Sequence, residues 1–127
     1  MTFNPSGIGA ITLFVEDVGT AKQFYATAFD LPVHFEDDVS VVFKMGDTLL
    51  NLLQATEAHG LIAPARVAPS ESGARMQLTI DVEDVDAVSD ELRRRGVELL
   101  NGPIDRPWGV RTAAFRDPDG HVWEIAK

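Results

Sequence analysis

The 127-residue chain contains no cysteine, so a disulfide framework and thiolate chemistry are both excluded. Basic residues are scarce: 11 Lys and Arg stand against 20 Asp and Glu, and the net charge of −9 argues against nucleic acid as a partner. No apolar run reaches the roughly 18 residues of a membrane span, and no signal peptide is recognisable at the start. We therefore expect a cytoplasmic protein with no membrane partner.

Several signatures of common active sites are also missing from the sequence. It has no Gly-rich phosphate loop, no G-x-S-x-G turn and no basic stripe interleaved with aromatic residues. Its composition, 45% hydrophobic and 24% charged, is that of an ordinary globular protein, and its length suits one domain with its own core. The pattern of the predicted strands and helices is therefore the main indication of function in this sequence.

The C-terminal stretch 115–127, F-R-D-P-D-G-H-V-W-E-I-A-K, predicts a strand end, a tight turn and a final strand. Pro118 and Gly120 are the turn residues. Strand alternation then places Glu124 on one face and Trp123 and Ile125 on the other, and we assign Trp123 to the core under a helix. A mid-strand carboxylate that faces a core must be paired with a cation, protonated or bound to a metal. A carboxylate on a solvent-exposed face needs no such partner, and both interpretations of Glu124 stay open.

The two halves of the chain predict the same order of elements: one strand, one helix and three strands. The first half has strands at about 8–15, 33–36, 39–45 and 48–54 and a helix at 18–29; the second has strands at 75–82, 97–101, 109–116 and 121–126 and a helix at 85–95. The tetrapeptide V-E-D-V begins at Val15 and recurs at Val82, each time leading into a helix.

This internal repeat predicts an α+β fold in a single domain covering residues 1–127. Two βαβββ modules, at about 8–54 and 75–127, are joined by a long loop at about 55–73. Neither module can cover its own sheet, so we expect them to pair into a curved eight-stranded mixed sheet. Helices would cover the outer face and leave a concave cleft inside.

The paired modules, V-E-D-V before each helix and the closing D-P-D-G-H-V-W-E-I resemble the vicinal oxygen chelate superfamily, which includes glyoxalase I, bleomycin-resistance proteins and extradiol dioxygenases. The resemblance implies metal-ligand positions in the first and last strands of each module. They fall on Ala10, Asn51, Gln77 and Glu124. Since Ala10 has no donor atom and two others are neutral amides, we expect no tightly bound metal and no cofactor.

The predicted cleft has a polar and aromatic lining. Strand alternation and the R-P-W-G-V-R segment supply these candidate ligand-binding residues: Thr12, Phe14, Asn51, Gln77, Thr79, Trp108, Arg111 and Glu124, with Arg106 nearby. An arginine on the strand beside Glu124 could pair with its carboxylate. Trp108 either stacks on a flat ligand or plugs the end of the sheet. The three histidines, His34, His59 and His121, are interpreted as surface or structural residues.

Two functions remain open. The first is binding of an organic small molecule, with an antibiotic as one candidate, in a metal-free cleft of a homodimer. The homodimer is expected because the superfamily commonly builds its clefts across a dimer and because apolar sheet edges need cover. The second is a glyoxalase-like lyase or isomerase, or a dioxygenase-related enzyme, with Glu124 as catalytic base and a weakly held divalent metal or none. The sequence offers no clear electrophile for a developing enolate, and this favours binding.

Overall fold

The structure, a computed structural model, describes residues 3–127. It divides into two compact units. Unit 1 comprises the chain up to Ala26 and Asp30–Val67, and unit 2 comprises Thr27–Phe29 and Ala68–Lys127. The boundary falls inside the predicted connecting loop, except that three helical residues of the first module belong to unit 2. The prediction that all of the chain forms a single domain stays a prediction.

Unit 1 contains the first module. Its elements are β1 Ala10–Val15, α1 Val18–Phe29, β2 Val33–Glu36, β3 Ser40–Met45 and β4 Thr48–Gln54. The strands form a four-stranded mixed sheet in the order β1-β4-β3-β2, in which β1 and β4 are parallel and the other neighbours are antiparallel. The predicted strand alternation holds: Leu13 and Val15 are buried, while Thr12 and Phe14 are half-buried.

Unit 2 repeats this arrangement. Its elements are β5 Gln77–Asp81, α3 Val85–Arg94, β6 Leu99–Asp105, β7 Arg111–Arg116 and β8 Val122–Ala126. The sheet order is β5-β8-β7-β6, with β5 and β8 parallel. The α+β class and the two βαβββ modules are therefore confirmed. Among residues 3–127 the strands pair as two four-stranded sheets, each hydrogen-bonded within itself.

Both long helices begin where the repeated tetrapeptide predicts. The backbone N–H groups of Gly19 and Thr20 donate to Asp17 Oδ1 at 2.9 and 3.2 Å, and that of Ala87 donates to Asp84 Oδ1 at 3.0 Å. An aspartate at this position satisfies N–H groups that have no partner inside the helix. The aspartate of V-E-D-V therefore acts as a helix cap in both modules. Capping accounts for this residue without any role in ligand binding.

The core of unit 2 lies on one face of its sheet. Trp123 is 2% exposed and packs edge-to-face against Phe29, with ring centroids 5.1 Å apart. Phe29 meets Phe115 in the same way at 6.1 Å. The assignment of Trp123 to the core under a helix is confirmed, and the last turn of α1 supplies that contact.

The connection predicted as a long loop contains three short helical segments. They are a 3₁₀ turn at Ala55–Glu57, the short helix α2 His59–Ile62 and a 3₁₀ turn at Ser70–Ser72. Segments of three or four residues are too short to show helical periodicity, so the sequence pattern did not indicate them. A helix with the length and apolarity needed to span a bilayer does not occur within residues 3–127.

Candidate functional site

One side of the unit 2 sheet carries the polar positions. We call it the Glu124 face and define it by Gln77 and Thr79 of β5, Thr112 and Ala114 of β7, and Glu124 of β8. Strand register makes them neighbours, because Thr79 and Ala114 flank Glu124 on either side. The core residues Trp123 and Ile125 lie on the opposite side of the same strand.

Glu124 is half-buried and bonded to a neutral partner. Thr79 Oγ1 donates a hydrogen bond of 2.9 Å to Glu124 Oε1. In the part of the chain that the structure describes, no lysine, arginine or histidine forms an ion pair with Glu124. Because a carboxylate accepts several hydrogen bonds, Glu124 keeps the capacity to bind a donor or a cation supplied from outside the chain.

Arg111, a candidate ligand-binding residue on the strand beside Glu124, lies on the other side of the sheet. Its guanidinium donates to Asp86 at 2.8 and 2.9 Å and to Asp105 at 3.0 Å. Arg111 alternates with Thr112 on β7 and therefore projects from the opposite side of the sheet to Glu124. The possible arginine–Glu124 pair is not formed by Arg111, because the residue of β7 that faces Glu124 is Ala114.

The guanidinium of Arg106, a cleft candidate from the R-P-W-G-V-R segment, is held at the Glu124 face by side-chain hydrogen bonds. Its Nε donates to Thr112 Oγ1 at 2.8 Å and its Nη2 donates to Asn101 Oδ1 at 3.2 Å. Trp108 lies in the same turn, which is closed by the hydrogen bond from Gly109 N to Arg106 O at 3.0 Å. With 71% of its surface exposed, Trp108 presents its indole to solvent, where a ligand can reach it, and its stacking role stays a prediction.

The corresponding face of the unit 1 sheet shows the same register. Thr12 stands opposite Asn51, as Thr79 stands opposite Glu124, and Asn51 Nδ2 donates to Thr12 Oγ1 at 3.3 Å. Phe14 follows on the same side of β1. In each module, therefore, a threonine of the first strand holds the polar residue of the last strand. Strand alternation in the sequence did not reveal this pairing, because it depends on how β1 and β4 align.

The four family ligand positions supply few metal-binding atoms, and the absence of a tightly bound metal stays a prediction. Ala10 supplies no donor atom, and Asn51, whose Nδ2 donates to Thr12, could offer a metal only its neutral amide oxygen. Within unit 2, Gln77 and Glu124 lie two residues apart in register on one face and supply one amide oxygen and one carboxylate. Zinc and iron sites in proteins use imidazole, thiolate or several carboxylates, which this set lacks. Among residues 3–127 no three His, Cys, Asp or Glu side chains converge as a metal-binding group.

The turn before β8 shows a structural use for a histidine. The Asp117 side chain is buried, and its Oδ1 accepts hydrogen bonds from the backbone N–H groups of Asp119 and His121 at 2.9 and 2.8 Å. His121 Nδ1 lies 2.8 Å from Asp117 Oδ2. Burial lowers the pKa of His121, but the hydrogen bond to Asp117 and the charges of Asp117 and Asp119 together outweigh it and raise that pKa. His59 also bonds locally, with Nδ1 2.9 Å from Thr56 O.

Comparison with known proteins agrees with this architecture. The model of the Glyoxalase/Bleomycin resistance protein/Dioxygenase superfamily matches residues 7–125. A Bacillus subtilis (strain 168) protein named "Uncharacterized protein YraH" is 33% identical over 121 residues, which cover 92% of this chain and 94% of that protein. The chain belongs to the glyoxalase/bleomycin resistance protein/dioxygenase superfamily, and the resemblance to the vicinal oxygen chelate group is confirmed.

Solved structures share the fold. A glyoxalase/bleomycin resistance protein/dioxygenase from Nocardioides superposes with a TM-score of 0.87 at 23% identity, covering 98% of this chain and 85% of that one. Lactoylglutathione lyase from Agrobacterium tumefaciens superposes with a TM-score of 0.77 at 24% identity, covering 97% of this chain and 94% of that one. At these identities the likeness shows the fold alone.

Proposed function

We propose that this protein binds an organic small molecule on the Glu124 face without a metal. The observation that carries the proposal is Glu124 itself: a half-buried carboxylate held by a threonine hydroxyl and paired with no cation among the described residues. A charged group in this position is costly unless a partner completes its hydrogen bonding. A ligand that brings a donor or a positive charge would supply that partner.

Trp108 provides the apolar part of the proposed site. An exposed indole is an effective surface for stacking, and flat ligands gain about 0.5–1.5 kcal/mol from such contacts beyond the burial of area. We propose Gln77 and Thr79 as further ligand contacts in unit 2, and Thr12, Phe14 and Asn51 as contacts on the equivalent face of unit 1. Arg111 is left out because its two aspartates satisfy it. We further propose that the protein acts as a cytoplasmic homodimer, and an antibiotic is one ligand that this proposal admits.

A fluorescence titration with the flat, neutral probe N-phenyl-1-naphthylamine, in buffer containing EDTA, tests the proposal. The wild-type protein should bind the probe, and Trp108→Ala should weaken binding about tenfold or more, because stacking and burial are lost together. Glu124→Gln keeps the shape of the site and should change affinity for this neutral probe little. Unchanged affinity in Trp108→Ala would contradict the assignment of the site.

The alternative function is catalysis of the glyoxalase type, which the half-buried Glu124 also favours. Wild type and Glu124→Gln would be assayed for lactoylglutathione lyase activity with and without added nickel or zinc. A catalytic base is worth about 10²-fold or more in rate, so turnover that Glu124→Gln abolishes while probe binding survives would establish the enzyme and displace the binding proposal.

A further inference from the structure

We propose that Arg106 forms an anion-binding subsite on the Glu124 face and that the ligand is therefore an organic acid. The inference rests on the proposed small-molecule function and adds the chemical class of the ligand. It also reverses the expectation from net charge alone: a chain with a formal charge of −9 repels anions at long range, so an anionic ligand requires a local, oriented cation.

Arg106 differs from the arginines that serve the fold. Arg93, Arg94, Arg95 and Arg111 each form an ion pair with an aspartate or glutamate. Arg106 forms no ion pair within the described chain, although the sequence contains 20 acidic residues. The two hydrogen bonds described for its side chain go to the neutral oxygens of Thr112 and Asn101. Its full positive charge is thus held in a half-buried place without a counter-charge.

The two neutral partners fix the guanidinium and leave donors for a ligand. A guanidinium carries five N–H donors in a planar fork. Arg106 uses Nε and one donor of Nη2, so three donors remain, including both on Nη1. Two parallel N–H groups match the two oxygens of a carboxylate, phosphate or sulfonate. Because Thr112 and Asn101 already orient the side chain, less rotamer freedom is lost when an anion binds.

The backbones of β6 and β7 approach each other closely near the side-chain partners of Arg106. Gly102, next to Asn101, has φ +87°, and a Cβ added there would lie 2.5 Å from Thr112 O. The pairing of β6 with β7 shifts register on either side of Asn101, and the two backbones lie close together at Gly102. The two acceptors of Arg106, Asn101 on β6 and Thr112 on β7, both lie within hydrogen-bonding reach of its guanidinium. A larger residue at position 102 would separate them.

The position of Arg106 relative to Glu124 narrows the ligand further. Ala114 of β7 is the register partner of Glu124, and Thr112 lies two residues further along β7 on the same face. Strand geometry therefore puts the Cα atoms of Thr112 and Glu124 about 8 Å apart. An acid group on Arg106 therefore leaves room for a hydroxyl or amino group to donate to Glu124. With Trp108 in the same turn as Arg106, the matching ligand is an aromatic acid that carries a hydroxyl or amino substituent.

A pair of probes that differ by one anionic group tests the subsite. 1-Anilinonaphthalene-8-sulfonate has the ring system of N-phenyl-1-naphthylamine plus a sulfonate. At about 0.15 M salt, where long-range charge effects are screened, wild type should bind the sulfonate probe about tenfold more tightly than the neutral one. Arg106→Gln should bring that affinity ratio to about one. Arg106→Lys keeps the charge but loses the fork and should give an intermediate ratio.

Arg116 provides the matched control. It lies on β7 on the same side as Thr112, but its side chain is exposed and forms no hydrogen bond, among those described for residues 3–127, that would hold the guanidinium in place. Arg116→Gln removes the same charge and should keep the wild-type ratio. A ratio near one in wild type, a ratio unchanged in both Arg106 variants, or an equal loss in Arg116→Gln would overturn the subsite while probe binding itself stands. Failure of wild type to bind either probe would instead refute the proposed small-molecule function.

Discussion

Replacing Gly102 by alanine tests how closely β6 and β7 approach each other beside Arg106. The added Cβ would lie 2.5 Å from Thr112 O, 2.7 Å from Ala113 Cα and 2.9 Å from Ala113 Cβ. Two of these are backbone atoms in the middle of a sheet, so the conflict cannot be relieved by turning a side chain. Gly102 also has φ +87°, a conformation that alanine adopts with strain.

The two effects can be estimated separately. A non-glycine residue in this region costs about 1–3 kcal/mol, and forcing an extra carbon into a packed place costs about 1–3 kcal/mol more. Together they amount to about 2–6 kcal/mol, against a total stability of about 5–15 kcal/mol for a typical domain. Gly102→Ala should therefore be strongly destabilised, and it should also disturb the Thr112 hydroxyl that holds Arg106.

Gly96 offers a matched control. Its φ is +86°, and a Cβ added there would meet nothing within 4 Å. Gly96→Ala thus has nearly the same backbone strain without the collision, and Gly102→Ala should exceed it by about 1–3 kcal/mol. Urea unfolding followed by tryptophan fluorescence would measure both. With a slope of about 1–3 kcal/mol per molar urea, a difference of about 2 kcal/mol moves the midpoint by about 1 M. Equal losses in the two variants would show that the strands do not approach as described.

Three further predictions concern pH, metal and assembly. Because the folded-state pKa of His121 is raised, its protonated form stabilises the native state fully below the unfolded pKa of about 6.5, and this stabilisation is lost as pH rises through the folded pKa. In urea unfolding, His121→Gln should therefore lower the free energy of unfolding by roughly 0.5–1 kcal/mol more at about pH 5.5 than at about pH 9. An equal loss at both pH values would contradict the Asp117–His121 pair. Equilibrium dialysis against nickel, zinc or cobalt at micromolar free metal should show well under one ion per chain, because Ala10 and Asn51 replace the ligands that such ions need; stoichiometric binding that depends on Glu124 would contradict this. Light scattering should give twice the chain mass of 13.9 kDa, because the edge strands β2 and β6 expose the apolar side chains of Phe35, Leu100 and Ile104. A monomer mass at micromolar concentration would refute the homodimer.

Much of the fold is determined by local patterns in the sequence. The repeated V-E-D-V places a capping aspartate before each long helix, and strand alternation separates Trp123 from Glu124, so the two βαβββ modules and the polar face follow from residues close together in the chain. The same patterns led to the superfamily that the comparisons confirm. These inferences succeed because capping and strand alternation depend on neighbours a few residues away.

The partners of the functional side chains were decided by tertiary structure. Whether Glu124 meets a threonine or an arginine depends on the register of β8 against β5 and β7, which brings Thr79 and Ala114 to its sides and sends Arg111 to the opposite face. Arg106, which follows β6, reaches the Glu124 face by donating to Thr112 on β7 and to Asn101 on β6. A shift of one residue in pairing moves a side chain to the other side of a sheet, and nothing in a single strand's sequence specifies that alignment.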